Sequence, residues 1–207
     1  YARDIYEFYV YRPGEPVPKK LLLDEALPMY LDTFDPKLHS DWSIESLKLA
    51  PGFDSYEDHA AAKYRLDFEA AIDEKKDGAS WPRYFFYTLE NENDIQKLAA
   101  ISLVIPLEEE GVFYLDHIGV RKDLTHKGIG SDLLTCIYKT LGDFKRLELD
   151  TRIFNKPAIA FYQKKGFQHI EKHPNPSRQN IHYHFVIENQ SGDNQSGEVK
   201  ESRLSHN

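Results

Sequence analysis

A polar stretch at residues 121–130 combines residue types that bind anions. It follows an apolar strand pattern at residues 113–120 and leads into an apolar helical pattern that begins near Gly128 and Gly130. The first amides of a helix have no intrahelical partner, and the helix dipole places partial positive charge at the same end. Glycine has no Cβ, so a ligand can approach this backbone closely. The stretch therefore predicts a phosphate-binding turn that needs no dedicated basic side chain.

A second segment, residues 155–167, predicts a short helix with one reactive side chain. Asn155 can cap this helix, Pro157 is tolerated in its first turn, and Gly166 fits the left-handed position that ends it. Tyr162 follows on the apolar face, where its phenol can donate a hydrogen bond to a developing anion. A tyrosine that only fills the core is the alternative interpretation.

The strand at residues 113–120 offers proton acceptors. Strict alternation divides its side chains between two faces, with Tyr114, Asp116 and Ile118 on one and Leu115, His117 and Gly119 on the other. We select Asp116 as the candidate general base, acting directly or through a water, with a structural carboxylate as the alternative. His117 is predicted to be a satisfied, partly buried histidine that faces away from the groove. Glu108 and Glu110 rank below Asp116, because a run of loop carboxylates is usually solvated.

Composition narrows the class of protein. The 207 residues are 41% hydrophobic and 13% aromatic, enough for a packed core, and carry a net charge of −8 with no basic stripe for nucleic acid. No apolar run approaches the roughly 18 residues of a membrane span, and no signal-like segment is present, so a cytoplasmic location is predicted. Cys136 alone cannot form an intrachain disulfide or a cysteine-rich metal site. We expect a monomer or homodimer.

Strand and helix patterns alternate in a way that predicts an α/β (mixed α+β) fold. Strands are predicted at residues 5–11, 83–89, 98–107, 113–120, 146–150, 167–172 and 181–187, and helices at 19–34, 54–76, 128–141 and 155–165. The three strands before the glycine turn form an antiparallel meander, and the helix after it makes a βαβ unit with parallel neighbours. Residues 1–188 are predicted to be one domain with a helical insertion at 35–80, and residues 189–207 a disordered tail.

Together the two motifs resemble the GNAT superfamily of N-acetyltransferases. The family's pyrophosphate loop, Arg/Gln-x-x-Gly-x-Gly/Ala, corresponds here to Thr125, His126, Lys127, Gly128, Ile129 and Gly130. The family's Asn-x-x-Ala, Tyr and Gly-Phe segment corresponds to Asn155, Ala158, Tyr162, Gly166 and Phe167. The resemblance covers roughly residues 5–188 and is motif-specific between about 114 and 167. Thr125 departs from the Arg or Gln of the family, so we expect either a lower affinity for CoA or a positive charge supplied by Lys127, His126 or Arg121.

The resemblance implies a central mixed, mostly antiparallel sheet of about six to seven strands with splayed middle strands, flanked by helices. It also implies acetyl transfer from acetyl-CoA to a primary amine of a small molecule or peptide, with the 35–80 insertion on the acceptor side. By the same resemblance Tyr162 protonates the CoA sulfur and Asp116 is the base. The implied CoA-binding residues are Ile118, Gly119, Val120, Thr125, His126, Lys127, Gly128, Ile129, Gly130, Ser131, Asn155, Ala158 and Tyr162.

Several alternatives stay open. The main one is a GNAT-like domain that binds acyl-CoA or a protein partner without turnover, and an O-acyltransferase is another. Asn155 is either a pantetheine ligand, a helix cap, or both. Lys164 and Lys165 either approach the CoA phosphates or are solvated. His182 and His184 share one face of a strand, which suits an acceptor-lining wall better than zinc, so no metal is predicted.

Overall fold

A computed structural model describes residues 5–33, 56–93 and 95–189 of the chain. Most of the predicted 35–80 insertion before residue 56, and the predicted tail from residue 190 onward, lie outside the described residues. Within those residues, no helix has both the length and the apolar character needed to cross a membrane.

Nine strands and four helices are described. The strands are β1 Tyr6–Tyr11, β2 Lys75–Lys76, β3 Ala79–Ser80, β4 Tyr84–Glu92, β5 Ile95–Pro106, β6 Val112–Val120, β7 Arg146–Arg152, β8 Gln168–Ile170 and β9 His182–Glu188. The helices are α1 Leu27–Thr33, α2 Tyr56–Asp73, α3 Ile129–Leu141 and α4 Lys156–Lys164. The predicted order of elements is confirmed, and the short β2–β3 hairpin is the addition. That hairpin lies where the sequence predicted only the end of α2.

The first helix changes type part-way along. A π-helical segment, Lys20–Ala26, runs directly into α1. Pro28 lies in the first turn of α1, where a missing N–H is tolerated. The kink or stop predicted at Pro28 is therefore realised as a change of helical pitch.

Seven strands form one sheet in the order β1-β4-β5-β6-β7-β9-β8. All neighbours are antiparallel except β6 and β7, which run parallel across the α3 crossover. The predicted mixed, mostly antiparallel sheet is thus confirmed. β6 and β7 stand at its centre.

Each face of the sheet carries its own core. On the α3–α4 face, Leu133, Leu134 and Ile137 of α3 pack with residues of the central strands. On the opposite α1–α2 face, Leu22, Tyr30 and Phe68 pack against β4 and β5. Burial of these aliphatic and aromatic side chains is the main force that holds both helical layers on the sheet.

The two central strands separate soon after they meet. β6 pairs with β7 only from Val112 to Tyr114, opposite Arg146 to Glu148. Both strands continue beyond this point, and β6 keeps its pairing with β5 as far as Val120. Among the described residues, the β7-facing edge of β6 after Tyr114 consequently has no strand partner. The predicted splay of the middle strands is present, and it opens at the Tyr114–Glu148 pair.

A β-bulge in β6 changes which side chains share a face. Leu103 of β5 pairs with His117 while Val104 pairs with Leu115, so Asp116 is an extra residue. Because a bulge interrupts alternation, Leu115 packs in the α3–α4 core and His117 lies on the α1–α2 face. Ile118 also packs against the α3–α4 core. The predicted division of β6 side chains into two strictly alternating faces is therefore wrong beyond Leu115.

Candidate active site

The loop before α3 presents backbone donors to solvent. The amides of His126, Gly128, Ile129 and Gly130 donate to no other described group, whereas those of Thr125 and Lys127 are 3.4 Å from carbonyls within the loop. Gly128 has φ 90°, a left-handed conformation that glycine adopts without steric cost. Four uncommitted amides at the positive end of a 13-residue helix fit a pyrophosphate.

The side chains near this loop are mostly committed elsewhere. The Thr125 hydroxyl donates to the carbonyl of Lys122 at 2.9 Å. Arg121 pairs with Glu90 and Asp123 and donates to the carbonyl of Leu98. Arg121 is therefore held by carboxylates and is a poor substitute for the missing loop cation. His126 and Lys127 are exposed and remain the candidates.

The two sequence motifs meet at Gly130. A Cβ built there would lie 3.4 Å from Val120 Cγ2 and 3.8 Å from the Phe161 ring. β6, the start of α3 and α4 thus converge on one point. A Cβ would thus just touch both β6 and α4, so only a small side chain fits between the loop and these two elements.

Asn155 caps α4. Its side-chain oxygen accepts a hydrogen bond from the Ala158 amide at 3.2 Å. Ala158 itself packs at the margin of the α3–α4 core. The capping role predicted for Asn155 is confirmed, and its side-chain NH₂ still can donate to a ligand.

Tyr162 is the buried phenol of the α3–α4 face. It is 6% exposed and contacts the rings of Phe161, Phe167 and Phe185. Burial raises the pKa of this phenol above its ordinary value, with a further contribution from Tyr138. Tyr162 therefore keeps its proton at neutral pH and can only donate it, which suits an acid and not a base.

Asp116 lies two residues past the last β6–β7 pair, at the bulge. Its Oδ2 is 2.9 Å from His117 Nδ1, and 21% of its side chain is exposed. Burial alone would raise its pKa, but His117 outweighs that effect, so the pKa of Asp116 lies below its ordinary value. Asp116 is thus ionised at neutral pH and available to accept a proton, although it holds one weakly.

His117 is buried without a satisfied ring nitrogen. It is 4% exposed and stacks on Tyr30 with ring centroids 4.8 Å apart. Tyr64 and Phe68 of α2 contact the other sides of the imidazole. Neither ring nitrogen completes a hydrogen bond with any described residue, although Asp116 and Asp67 are close. The prediction of a satisfied histidine is wrong.

Asp150 on β7 is the counterpart of Asp116 across the splay. It lies two residues past Glu148, as Asp116 lies two past Tyr114. The phenol of Tyr114 lies beside both acids. Burial, Asp150 and Asp116 all raise its pKa. The two walls of the opening therefore each carry a carboxylate on the α1–α2 face.

Three basic side chains surround Asp150. Arg178 donates to Oδ2 at 2.8 Å, His184 Nδ1 is 2.8 Å from Oδ1, and His173 Nε2 is 3.1 Å from the same oxygen. These partners outweigh the effect of burial and hold the pKa of Asp150 well below its ordinary value. His184 also faces Glu148, at 3.5 Å from Nε2. The cluster fixes the β8–β9 loop, which carries His173 and Arg178, onto β7.

The same cluster has the residue types of a metal site. Ligand atoms of Asp150, His173 and His184 lie within 4.8 Å of one another. However, His173 Nδ1 accepts the backbone N–H of Asn175 at 2.9 Å, so the neutral ring carries its proton on Nε2. A metal would need the lone pair of that nitrogen. The tautomer of His173 therefore places an N–H towards Asp150 and disfavours metal ligation.

Sequence reasoning missed the groups that surround the two acids. Tyr30, Asp67, Asp150 and His173 come from four separate elements and match no motif. His184 was predicted only as part of an acceptor-lining strand. The one usable signal was the position of Asp150 at the end of the strand that follows the βαβ crossover.

The chain matches known proteins by family and by fold. The model of the acetyltransferase (GNAT) family matches residues 44–167. No functionally curated protein matches the sequence. The fold is similar to the PaiA N-acetyltransferase of Thermoplasma acidophilum in complex with coenzyme A, with TM-score 0.59 and 12% identity over 88% of this chain and 99% of that one.

Two further solved structures share the fold. An acetyltransferase of the GNAT family from Staphylococcus aureus Mu50 has TM-score 0.58 and 15% identity, over 88% of this chain and 99% of that one. The ribosomal-protein-S18-alanine N-acetyltransferase of Escherichia coli has TM-score 0.50 and 16% identity, over 92% and 100%. At such identities the similarity shows the fold alone. With the family match at residues 44–167, the loop before α3 and the splay of β6 and β7 are features of a chain that belongs to the GNAT acetyltransferase family.

Proposed function

We propose that the protein transfers the acetyl group of acetyl-CoA to a primary amine of a small molecule or peptide. The observation that carries this proposal is the convergence at Gly130 of the free loop amides, the unpaired edge of β6 and the helix that bears Tyr162. A pyrophosphate, an extended pantetheine arm and a thioester need these three features in that order. The N-terminal amides of α3 would hold the pyrophosphate, and β6 beyond Tyr114 would pair with the arm.

The chemistry requires two proton transfers. The amine nitrogen forms a bond to the acetyl carbonyl carbon, the thioester C–S bond breaks, and the amine loses one proton while the sulfur gains one. Asp116, ionised at the opening, would accept the amine proton. Tyr162, which retains its proton, would donate to the departing thiolate. Holding both reactants in the splay supplies much of the remaining rate enhancement.

A second candidate function is acyl-CoA binding without turnover, or a protein-interaction domain. The commitment of Thr125 and Arg121 to internal partners favours this reading, because neither side chain is then available to a bound phosphate. It shares the CoA site with the first proposal and differs only in chemistry.

One assay separates the two. The protein is incubated with acetyl-CoA and a panel of amines and peptides, while free thiol is followed by absorbance and acceptors by mass spectrometry. We expect amine-dependent thiol release with a matching acetylated product. CoA binding by calorimetry with no product from any amine supports the second candidate, and failure to bind CoA contradicts both.

A further inference from the structure

The buried imidazole of His117 has no role in the chemistry described so far. It is 4% exposed, and both ring nitrogens lack a completed hydrogen bond to the described residues. A buried polar group without partners costs free energy and needs a reason. A carboxylate oxygen lies near each of the two ring nitrogens.

Those oxygens belong to two different elements. Asp116 Oδ2 of β6 lies 2.9 Å from Nδ1, and Asp67 Oδ2 of α2 lies 4.0 Å from Nε2. The imidazole thus bridges an acid at the splay and a second acid under α2. A shift of less than about 1 Å in the plane of the ring would bring Nε2 to hydrogen-bond distance of Asp67. Stacking on Tyr30 permits such an in-plane shift and opposes tilting.

Asp67 continues this line to the surface. Its Oδ1 accepts a hydrogen bond from Lys76 Nζ at 2.7 Å, and Lys63 Nζ is 3.9 Å from Oδ2. The side chains of Lys76 and Lys63 are 41% and 59% exposed, while that of Asp67 is 9% exposed. Two ammonium groups at the surface therefore pair with Asp67, which still has Oδ2 facing the ring.

We propose that His117 relays the proton of the acceptor amine: the ring takes it from Asp116 and holds it between Asp116 and Asp67, and thereby keeps Asp116 ionised during each turnover. The relay rests on the proposed amine acetylation. The carboxyl group of Asp116 passes its proton to the lone pair of Nδ1, which gives an imidazolium paired with Asp116 and Asp67. After the product leaves, the same proton returns to water through Asp116, whose side chain is 21% exposed. His117 acts through Asp116 and is a positioning residue for the proton, and does not touch the substrate.

The relay predicts a pH-dependent defect when the nitrogens are removed. His117→Phe keeps an aromatic ring against Tyr30 and Phe68. We expect kcat to fall by about 10–100-fold at neutral pH, with the KM for acetyl-CoA within about twofold, since the pyrophosphate loop is untouched. The loss should shrink as pH rises, because solvent then accepts the proton. The charged and titratable groups facing the ring are Asp116, Tyr30, Tyr64, Asp67, Lys63 and Lys76.

Two variants make the result specific. His169→Phe alters an exposed histidine that also contacts an aromatic ring, Tyr183, and should leave kcat and its pH profile unchanged. Asp67→Asn should reproduce the defect of His117→Phe, and the double variant should be no worse than either single one. A wild-type pH profile in both single variants, or a loss that is equal at every pH, would overturn the relay.

A measurement without turnover covers the remaining cases. Ring-nitrogen NMR of His117 is compared in the wild type, Asp116→Asn and Asp67→Asn. We expect both substitutions to alter the pH response of both ring nitrogens, whereas a ring that ignores Asp67 overturns the relay even if no amine is acetylated. If the wild type turns over no amine while His117 responds to both acids, the proposed function fails and the coupling stands.

Discussion

The two faces of the splay present different kinds of group to a reactant. On the α3–α4 face the donors are backbone amides of the loop before α3 and the phenol of Tyr162. On the α1–α2 face the groups are acceptors, the carboxylates of Asp116 and Asp150, and each is already held by cationic or imidazole partners. The first face is built from one contiguous stretch and one helix. The second is assembled from α1, α2, β6, β7 and the β8–β9 loop, so it is specific to the packing of this chain.

Tyr162→Phe should give the largest effect on the α3–α4 face. The change removes the proton donor and keeps the ring that contacts Phe167 and Phe185. We expect kcat to fall by about 10²-fold, with little change in CoA affinity or in the melting temperature. Steady-state kinetics and calorimetry measure both.

Tyr138→Phe is the matched control for this change. Tyr138 is also a tyrosine at the margin of the α3–α4 core, and its hydroxyl is buried without a described partner. Its loss should leave kcat unchanged. An equal loss in both variants would mean that packing, and not the phenol at position 162, carries the effect.

Asp150→Asn should give the largest effect on the α1–α2 face. Removing the charge leaves Arg178, His173 and His184 without their shared carboxylate. The loss of one partner from a buried ion pair lowers the free energy of unfolding by about 3 kcal/mol. Because the pKa of Asp150 is lowered in the folded state, its stabilisation is present above the unfolded pKa and is lost as pH falls below about 4. Denaturant unfolding at pH 7 and at about pH 2 tests both statements.

Asp123→Asn makes the same substitution on the surface. Asp123 pairs with Arg121, but its side chain is 64% exposed. Its loss should change stability by less than about 1 kcal/mol. If Asp150→Asn and Asp123→Asn have the same free energy of unfolding, the buried cluster around Asp150 does not stabilise the fold more than a surface ion pair does.

Gly128→Ala should weaken CoA binding on the α3–α4 face by about tenfold, since an L side chain at φ 90° is strained by about 1–2 kcal/mol and displaces the loop amides. Gly142→Ala changes a glycine of positive φ at the other end of the same helix, and a Cβ meets nothing within 4 Å at either position. Gly142→Ala should lower stability without changing CoA affinity. CoA affinity is measured by calorimetry. Equal affinities in Gly128→Ala and Gly142→Ala would contradict the assignment of the loop before α3 as the pyrophosphate site.

His182→Asn should have the smallest effect, and the change is in how the free energy of unfolding depends on pH. Burial and the charges of Arg152 and Arg178 lower the pKa of His182 to about 4. The unfolded chain, with a histidine pKa near 6.5, then binds the proton first, so stability falls as pH drops from about 6.5 towards 4. Between pH 7 and pH 5, the free energy of unfolding should fall by about 1 kcal/mol less in the variant than in the wild type. His169→Asn is the control that should behave like the wild type.

The α3–α4 face could be foreseen because its signals are local in sequence. A glycine-rich turn before a helix and a capped helix with Tyr162 each specify backbone geometry within about ten residues. The sheet, its parallel βαβ unit and the Asn155 cap followed from the same local rules. The sequence shows that Thr125 departs from the family pattern, but the commitment of Arg121 to Glu90 needed the tertiary structure.

The α1–α2 face could not be foreseen because its contacts are long-range. The bulge at Asp116 places His117 on the opposite face of the sheet from the one that strict alternation predicts. No residue type in β6 predicts a bulge. The pairing of His117 with Asp67, and of Asp150 with His173 and Arg178, depends on helices and loops far apart in the chain. Periodicity in the sequence predicts that such side chains lie near the sheet, but it does not predict which of them contact one another.

Hydrogen–deuterium exchange with and without CoA tests the central assignment most directly. The amides of His126, Gly128, Ile129 and Gly130 donate to no described group, so they should exchange rapidly in the free protein. We predict that CoA slows their exchange, together with amides on the unpaired edge of β6 beyond Tyr114. Tight CoA binding that leaves these amides unprotected would contradict the account.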